Sequence, residues 1–195
     1  MIIAPHDRNE LLRLARGSIE SGLNTGQLAP APVRASAALN TPRATFVTLR
    51  IDGDLRGCCG SIEPRFMLAE DVWRNAWASA FADPRFPRLS AAEYEDSDVQ
   101  ISVLTPLEPM LVASEAGLIE TLLPGVDGLV LKLGNERATF LPAVWEMLRD
   151  PVDFVRHLKV KAGWPASFWS PEIQMWRYRT ESFGLAPAVD ERGCG

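Results

Sequence analysis

The sequence predicts an α+β fold of mainly antiparallel sheets packed against helices, and three observations lead there. Two tight-turn signals, Asp52-Gly53 and Gly134-Asn135, each sit between runs of alternating apolar residues, the pattern of a β-hairpin. Stretches with apolar residues at helical spacing lie between and around these hairpins, and strands that arrive as hairpins among helices give segregated, antiparallel sheets. The chain has 195 residues, of which 47% are apolar and 23% charged, so it can bury a sizeable core as one domain or as two intimately packed subdomains. No internal repeat is visible.

The elements follow in order. A helix is predicted over 7–21, where Leu11, Leu14, Ala15, Ser18 and Ile19 recur at helical spacing behind capping-type Asp7 and Glu10; it ends at Gly22. The proline- and alanine-rich run from Leu28 to Pro42 lacks periodicity and reads as an extended surface loop. In "ATFVTLRIDGDLRGCCGS", Val47, Leu49 and Ile51 alternate before the first turn, so the second half of the stretch is the return strand. From Met67 to Ala82, Leu68, Val72, Ala76, Ala80 and Phe81 fall on one side of a helix that stops at Asp83-Pro84, because proline disfavours helical geometry in the residue before it. "VQISVLTP" is a strand closed by Pro106, and a short helix from Ser114 to Leu122 leads into the second hairpin. Two more short helices, 142–148 and 152–161, precede a last strand around "IQMWRYR". The tail 185–195 has little to bury and is expected to be mobile, which leaves 5–184 as the folded region.

Several function classes are excluded. The net charge of −5 and the lack of any basic run argue against a nucleic-acid binder, which needs a positive field along the phosphate path. No stretch approaches the roughly 20 apolar residues of a membrane span, and the opening "MIIAPHDRNE" is too short for a signal-peptide core. Cys58, Cys59 and Cys194 make a poor disulfide framework, and free thiols point to a reducing cytoplasm. Metal-ligand spacings and phosphate-cradling loops are absent, so neither a metal nor a tightly bound cofactor is expected.

The chemistry-bearing stretch is "LRGCCGSIEP", residues 55–64. On a regular strand Arg56 and Cys58 share one face, about 7 Å apart in Cα separation, while Leu55, Gly57 and Cys59 share the other. A guanidinium on its own face favours a thiolate at Cys58 if solvent reaches both, whereas Cys59 points toward a core. Gly57 and Gly60 imply close approach to the backbone, by a packed helix or by a ligand. The architectural alternative makes Cys58 a small buried apolar residue and Arg56 an ion-pair partner. Bases are scarce: His6 is near the start and His157 lies on a helix, so Glu63 and Asp83 are the candidate acid/base groups. In "FADPRF", Asp83 and Arg85 either brace a proline turn or present an acid and a guanidinium to the same cleft. Lys161, in the last turn of its helix with Lys159, satisfies the helix dipole and could also contact an anion.

These residues resemble the AMMECR domain family, called AmmeMemoRadiSam system protein A in microbes. The resemblance rests on "LRGCCG", "FADPRFPRL", "ISVLTPLEPM", "FLPAVWE" and "HLKVKAGWP", in that order. It implies an α+β fold of two interlocked subdomains and matches Cys58 to the family's cysteine, with Cys59 where isoleucine is usual. Gln100 and Ala143 stand where the family commonly has glutamate and glutamine. It also implies partners, a Memo-type protein and a radical S-adenosylmethionine protein in a shared modification pathway. Two functions follow as expectations. In one, a cleft of Arg56, Gly57, Cys58, Gly60, Asp83, Arg85 and possible contributors Glu63 and Lys161 binds an anionic small molecule or peptide group, with Cys58 as thiolate. In the other, the motif is structural and the chain is a non-catalytic binding or scaffold module.

Overall fold

The computed structural model describes residues 3–33 and 36–184, so the tail predicted to be mobile, with Cys194, lies outside the described residues. In chain order the elements are α1 (Pro5–Thr25), β1 (Thr45–Ile51), β2 (Asp54–Gly60), α2 (Leu68–Phe81), α3 (Ala91–Glu95), β3 (Ser97–Leu104) and β4 (Glu108–Pro109). They continue with α4 (Glu115–Thr121), β5 (Gly128–Leu133), β6 (Glu136–Phe140), a 3-10 turn (Pro142–Glu146), α5 (Pro151–Lys161), β7 (Gln174–Tyr178) and β8 (Thr180–Gly184). Two compact units result, Thr105–Thr180 being inserted into the chain of the other between β3 and most of β8. Among the described residues no helix is long and apolar enough to cross a membrane.

The first unit holds a four-stranded sheet in the order β2-β1-β3-β8, with β1 antiparallel to both neighbours. Its hairpin turns at Asp52 (φ 53°) and Gly53 (φ 84°), two left-handed residues whose twist matches that of the flanking strands. Val47, Leu49, Val99 and Ile101 on one sheet face pack with Leu11, Leu14 and Ile19 of α1 and Val72, Ala76 and Ala80 of α2. Each of the valine, leucine and isoleucine side chains contributes about 1.5–3 kcal/mol by leaving water. α2 is also tied to β1 by Asp71, which is buried and accepts from the Thr45 amide (2.9 Å), the Thr45 hydroxyl (2.6 Å) and the Asn75 amide (2.9 Å). Burial pushes the Asp71 carboxyl up to about 6, against the opposing effect of those hydrogen bonds.

Several elements extend the sequence reading, including the short strands β4 and β8, which it did not predict. α1 runs past Gly22, its predicted end, to a left-handed cap at Gly26 (φ 72°), because Gly22 stays helical under the Phe81 ring, which a Cβ would strike. α3, unpredicted, starts from a capping box in which the Ser90 hydroxyl accepts from the Glu93 amide and the Glu93 carboxylate accepts from the Ser90 amide.

The second unit holds an antiparallel sheet in the order β4-β7-β5-β6. Its core gathers Leu118, Leu129, Leu131, Trp145, Phe154, Leu158 and Met175, with the Trp145 and Phe154 rings stacked 3.8 Å apart. Lys159, 1% exposed, donates to Glu115 at 2.7 Å and joins α5 to α4.

Candidate functional site

The environment of β2 explains its glycines. A Cβ on Gly57 would collide with the Ser79 carbonyl of α2, so glycine is what allows this helix to lie against the strand. Ser79 then reaches the ladder: its hydroxyl accepts from the Cys59 amide at 2.9 Å and sits 2.7 Å from the Val47 carbonyl, to which it donates. A Cβ on Gly60 would strike the Phe46 ring and the Thr45 carbonyl. Protein, in both cases, makes the close approach.

Arg56 does not share an outward face with Cys58, contrary to the strand argument. The register explains why: Leu49 faces Gly57 while Arg50 faces Leu55, so Arg56 is the extra residue of a bulge and simple alternation breaks there. Its guanidinium, 10% exposed, donates from Nε to Glu93 Oε1 (2.8 Å) and from Nη2 to Glu93 Oε2 (3.2 Å) and the Pro87 carbonyl (3.0 Å). Nη1 is buried without a hydrogen-bond partner among the described residues. The Arg56 guanidinium, helped by the Ser90 amide and hydroxyl, holds the Glu93 carboxyl down to about 2.

Asp83 and Arg85 close the free edge of β2. Asp83 Oδ2 accepts from the Cys58 amide (2.9 Å) and from Arg85 Nη2 (2.6 Å), and Oδ1 accepts from the Arg85 amide (3.1 Å) and Nε (2.9 Å). Arg85 Nη2 also donates to the Cys58 carbonyl at 3.2 Å. The pair thus offers Cys58 the acceptor and donor that a neighbouring strand would supply. Hydrogen bonding by Arg85 holds the Asp83 carboxyl well below the usual carboxylate range, and the guanidinium is raised in turn by Asp83. Asp83 is buried, while the Arg85 side chain stays 53% exposed.

The two cysteines part company. Cys58 stands opposite Thr48, on the face away from the core residues Val47 and Leu49, and the Thr48 hydroxyl donates to its sulfur at 3.4 Å. It is half-buried. Exposed Gln100 faces Thr48 from the other side, so Cys58, Thr48 and Gln100 form one row across three strands. Cys59 opposes Val47 on the helix side, where burial first and the Asp83 charge second push its thiol up.

The remaining candidates have partners of their own. Glu63 lies in the turn after β2, 3.1 Å from Arg65. Lys161 belongs to the second unit, where its Nζ donates to the Thr139 carbonyl at 3.0 Å and lies 5.1 Å from the Phe140 ring centre. Ala143 is exposed in the 3-10 turn. His157 Nδ1 pairs with the Asp153 carbonyl of its own helix, and His6 is 3.3 Å from Asp7. Among the described residues no group of three or more His, Cys, Asp or Glu could hold a metal ion. Cys58, Asp83 and Arg85 are therefore brought together, with Thr48, Ser79 and Glu93 as further contributors that the sequence reading missed. Ser90-x-x-Glu93 was the available signal for Glu93.

Residues 12–183, nearly all of this framework, match AMMECR1. The chain belongs to the AMMECR1 family. It is similar to archaeal proteins of this AMMECR1 type, among them one from Methanothermobacter thermautotrophicus, 37% identical over 188 residues that cover 94% of this chain and 98% of that one. A protein from Methanococcoides burtonii is 32% identical over 98% of this chain and 94% of its own length. Protein PH0010 from Pyrococcus horikoshii, a solved structure, superposes with a TM-score of 0.83 at 32% identity, covering 89% of each chain. The AMMECR1 match includes the whole of β2 and the Asp83–Arg85 turn.

Proposed function

We propose that this AMMECR1-family protein is a binding component of a cytoplasmic modification system shared with a Memo-type protein and a radical S-adenosylmethionine protein. It recognises an anionic or amide-bearing group of its partner through the outward face of the first sheet around Cys58. The observation that carries this reading is the direction in which the charges near β2 are used. Arg56 is closed against Glu93 and Pro87, and Asp83 against Arg85 and the Cys58 amide, so these charges brace the strand. The face itself offers the Thr48 hydroxyl, the Cys58 sulfur and the Gln100 amide, with the half-exposed Arg85 guanidinium at the strand edge. Such a set suits carboxylate or peptide recognition, because guanidinium and amide donors pair with those groups directionally.

One observation favours a second reading, in which Cys58 is a nucleophile for group transfer: the half-exposed Arg85 guanidinium is held 3.2 Å from the Cys58 carbonyl, which keeps a cation beside the residue that carries the thiol. Calorimetric titration of the full chain with the purified Memo-type protein, and separately with the radical S-adenosylmethionine protein, tests the binding role. Saturable binding to at least one is expected, kept in Cys58→Ser and lost when Cys58 carries a maleimide adduct. Absence of binding to both, or binding indifferent to the adduct, contradicts it.

A further inference from the structure

The segment between α2 and α3, "DPRFPRLS" (residues 83–90), gathers three guanidiniums. Arg56 reaches it from β2: its Nη2 donates to the Pro87 carbonyl at 3.0 Å, and its Cζ lies 5.8 Å from the centre of the Phe86 ring. Arg85 Cζ lies 5.5 Å from the centre of the same ring. Arg88 Cζ lies 4.9 Å from the Phe81 ring centre and 5.9 Å from that of Trp77, and its Nη2 donates to the Gly26 carbonyl at 3.2 Å. Like charges brought to one short segment repel unless each is compensated.

That compensation is incomplete. Arg56 has Glu93 and Arg85 has Asp83, whereas Arg88 has no carboxylate partner among the described residues. The arginines that bind Asp83 and Glu93 hold both carboxyls below their ordinary range, as an excess of positive charge requires. Donors also remain: among the described residues Arg88 Nε and Nη1 and Arg85 Nη1 make no hydrogen bond. Pro84, Arg85, Pro87 and Arg88 are exposed, and the two prolines restrict the backbone that carries the arginines. An aromatic ring beside each cation steadies the guanidinium plane, so less freedom is lost when a carboxylate meets its fork.

Shape and chemistry select the partner. Small-molecule sites are concave, whereas these arginines sit on an exposed turn, which suits side chains borne by a macromolecule. Single-stranded nucleic acid holds to proteins by stacking its bases on aromatic faces, and here guanidiniums already lie against the Phe81 and Phe86 rings. A phosphate backbone would also run past the patch, beyond a Debye length of about 8 Å, onto a protein whose net charge is −5. A protein needs only a few carboxylates within that span. We propose that the 83–90 segment docks an acidic stretch of a partner protein, with one carboxylate taken by the free donors of Arg88 and a second by Arg85 Nη1. This surface is separate from the outward face around Cys58, although Arg85 borders both.

The test follows the arginine Nε–H resonances of the full chain by nitrogen–proton correlation NMR during titration with a hexaglutamate peptide. Saturable shifts at Arg88 and Arg85 are expected, with none at exposed Arg149 of the second unit and an affinity that falls as salt rises. These readings come from the parent chain and do not depend on a variant folding. Arg88→Gln should weaken the affinity read at Arg85 about tenfold, and Arg88→Lys should restore only part of it. A maleimide adduct on Cys58 should leave the Arg88 shifts in place, so this surface and the face around Cys58 can fail separately. Equal shifts at Arg149, absence of saturation, loss of the Arg88 shifts in the adduct, tighter binding of a hexathymidylate than of hexaglutamate, or an Arg88→Gln variant that binds as the parent would each overturn the proposal.

Discussion

The carbonyl of Ser79 occupies the space that a side chain on Gly57 would need. This relationship sets the distance between α2 and β2, and through it the position of everything held by the strand. Gly57→Ala must push helix and strand apart or displace backbone, the overpacking case that costs about 1–3 kcal/mol. Urea denaturation of the variant should show a lower midpoint with an unchanged slope; an unaltered midpoint would mean that the contact is slack.

Asp83 and Arg85 seal the edge of β2, so removing them should expose it. Arg85→Ala leaves the buried Asp83 carboxylate without its cation, and a cost of about 1–3 kcal/mol is expected, below that of a fully buried pair because the guanidinium is half exposed. Lysine at 85 should restore only part, since it lacks the planar fork that meets both carboxylate oxygens. Sedimentation velocity should also show more self-association in the Asp83→Ala, Arg85→Ala double variant than in the parent, because an uncovered strand edge is a template for pairing.

Glu93 and Asp71 bend the pH dependence of stability in opposite senses. Glu93 has its carboxyl lowered in the folded state to about 2 from an ordinary 4.5, so its contribution is present above the ordinary value and is lost as pH falls toward 2. Glu93→Gln should flatten the acid limb of the stability curve in that window.

Asp71 is raised to about 6 from 3.8, so the folded state binds more protons than the unfolded one between these values, and its contribution falls as pH rises through them. The stability difference between the parent and Asp71→Asn should shift against the parent from about pH 4 to pH 6 and be level above. A difference constant across that range would contradict the assignment of a desolvated carboxyl.

Much of the first unit was legible because its signals are local. Asp52-Gly53 declares its turn through two left-handed residues, Val47 and Leu49 alternate, and the helix before Asp83-Pro84 ends where proline requires. What escaped the sequence was set by tertiary contacts. Counting back from the turn opposes Thr48 to Gly57; the bulge at Arg56 opposes it to Cys58 instead, and nothing in "DLRGCC" announces an extra residue. Arg56 consequently turns to Glu93, 37 positions away, a distance that no strand rule spans. Glycine at 57 and 60 was legible as close approach, but only the fold shows that α2 and Phe46 are what approaches. The polar strand β8 carries too few apolar residues to declare itself, and its place beside β3 comes from packing of Gly184.

The central claim is that β2 turns Cys58 to its outward face and Cys59 toward α2. Brief alkylation of the native protein with iodoacetamide, followed by fragmentation of the peptide that contains both residues, measures this directly. Modification confined to Cys58, with Cys59 reacting only after denaturation, is the predicted result. Prior or equal labelling of Cys59, or a native Cys58 inert to the reagent, would contradict it.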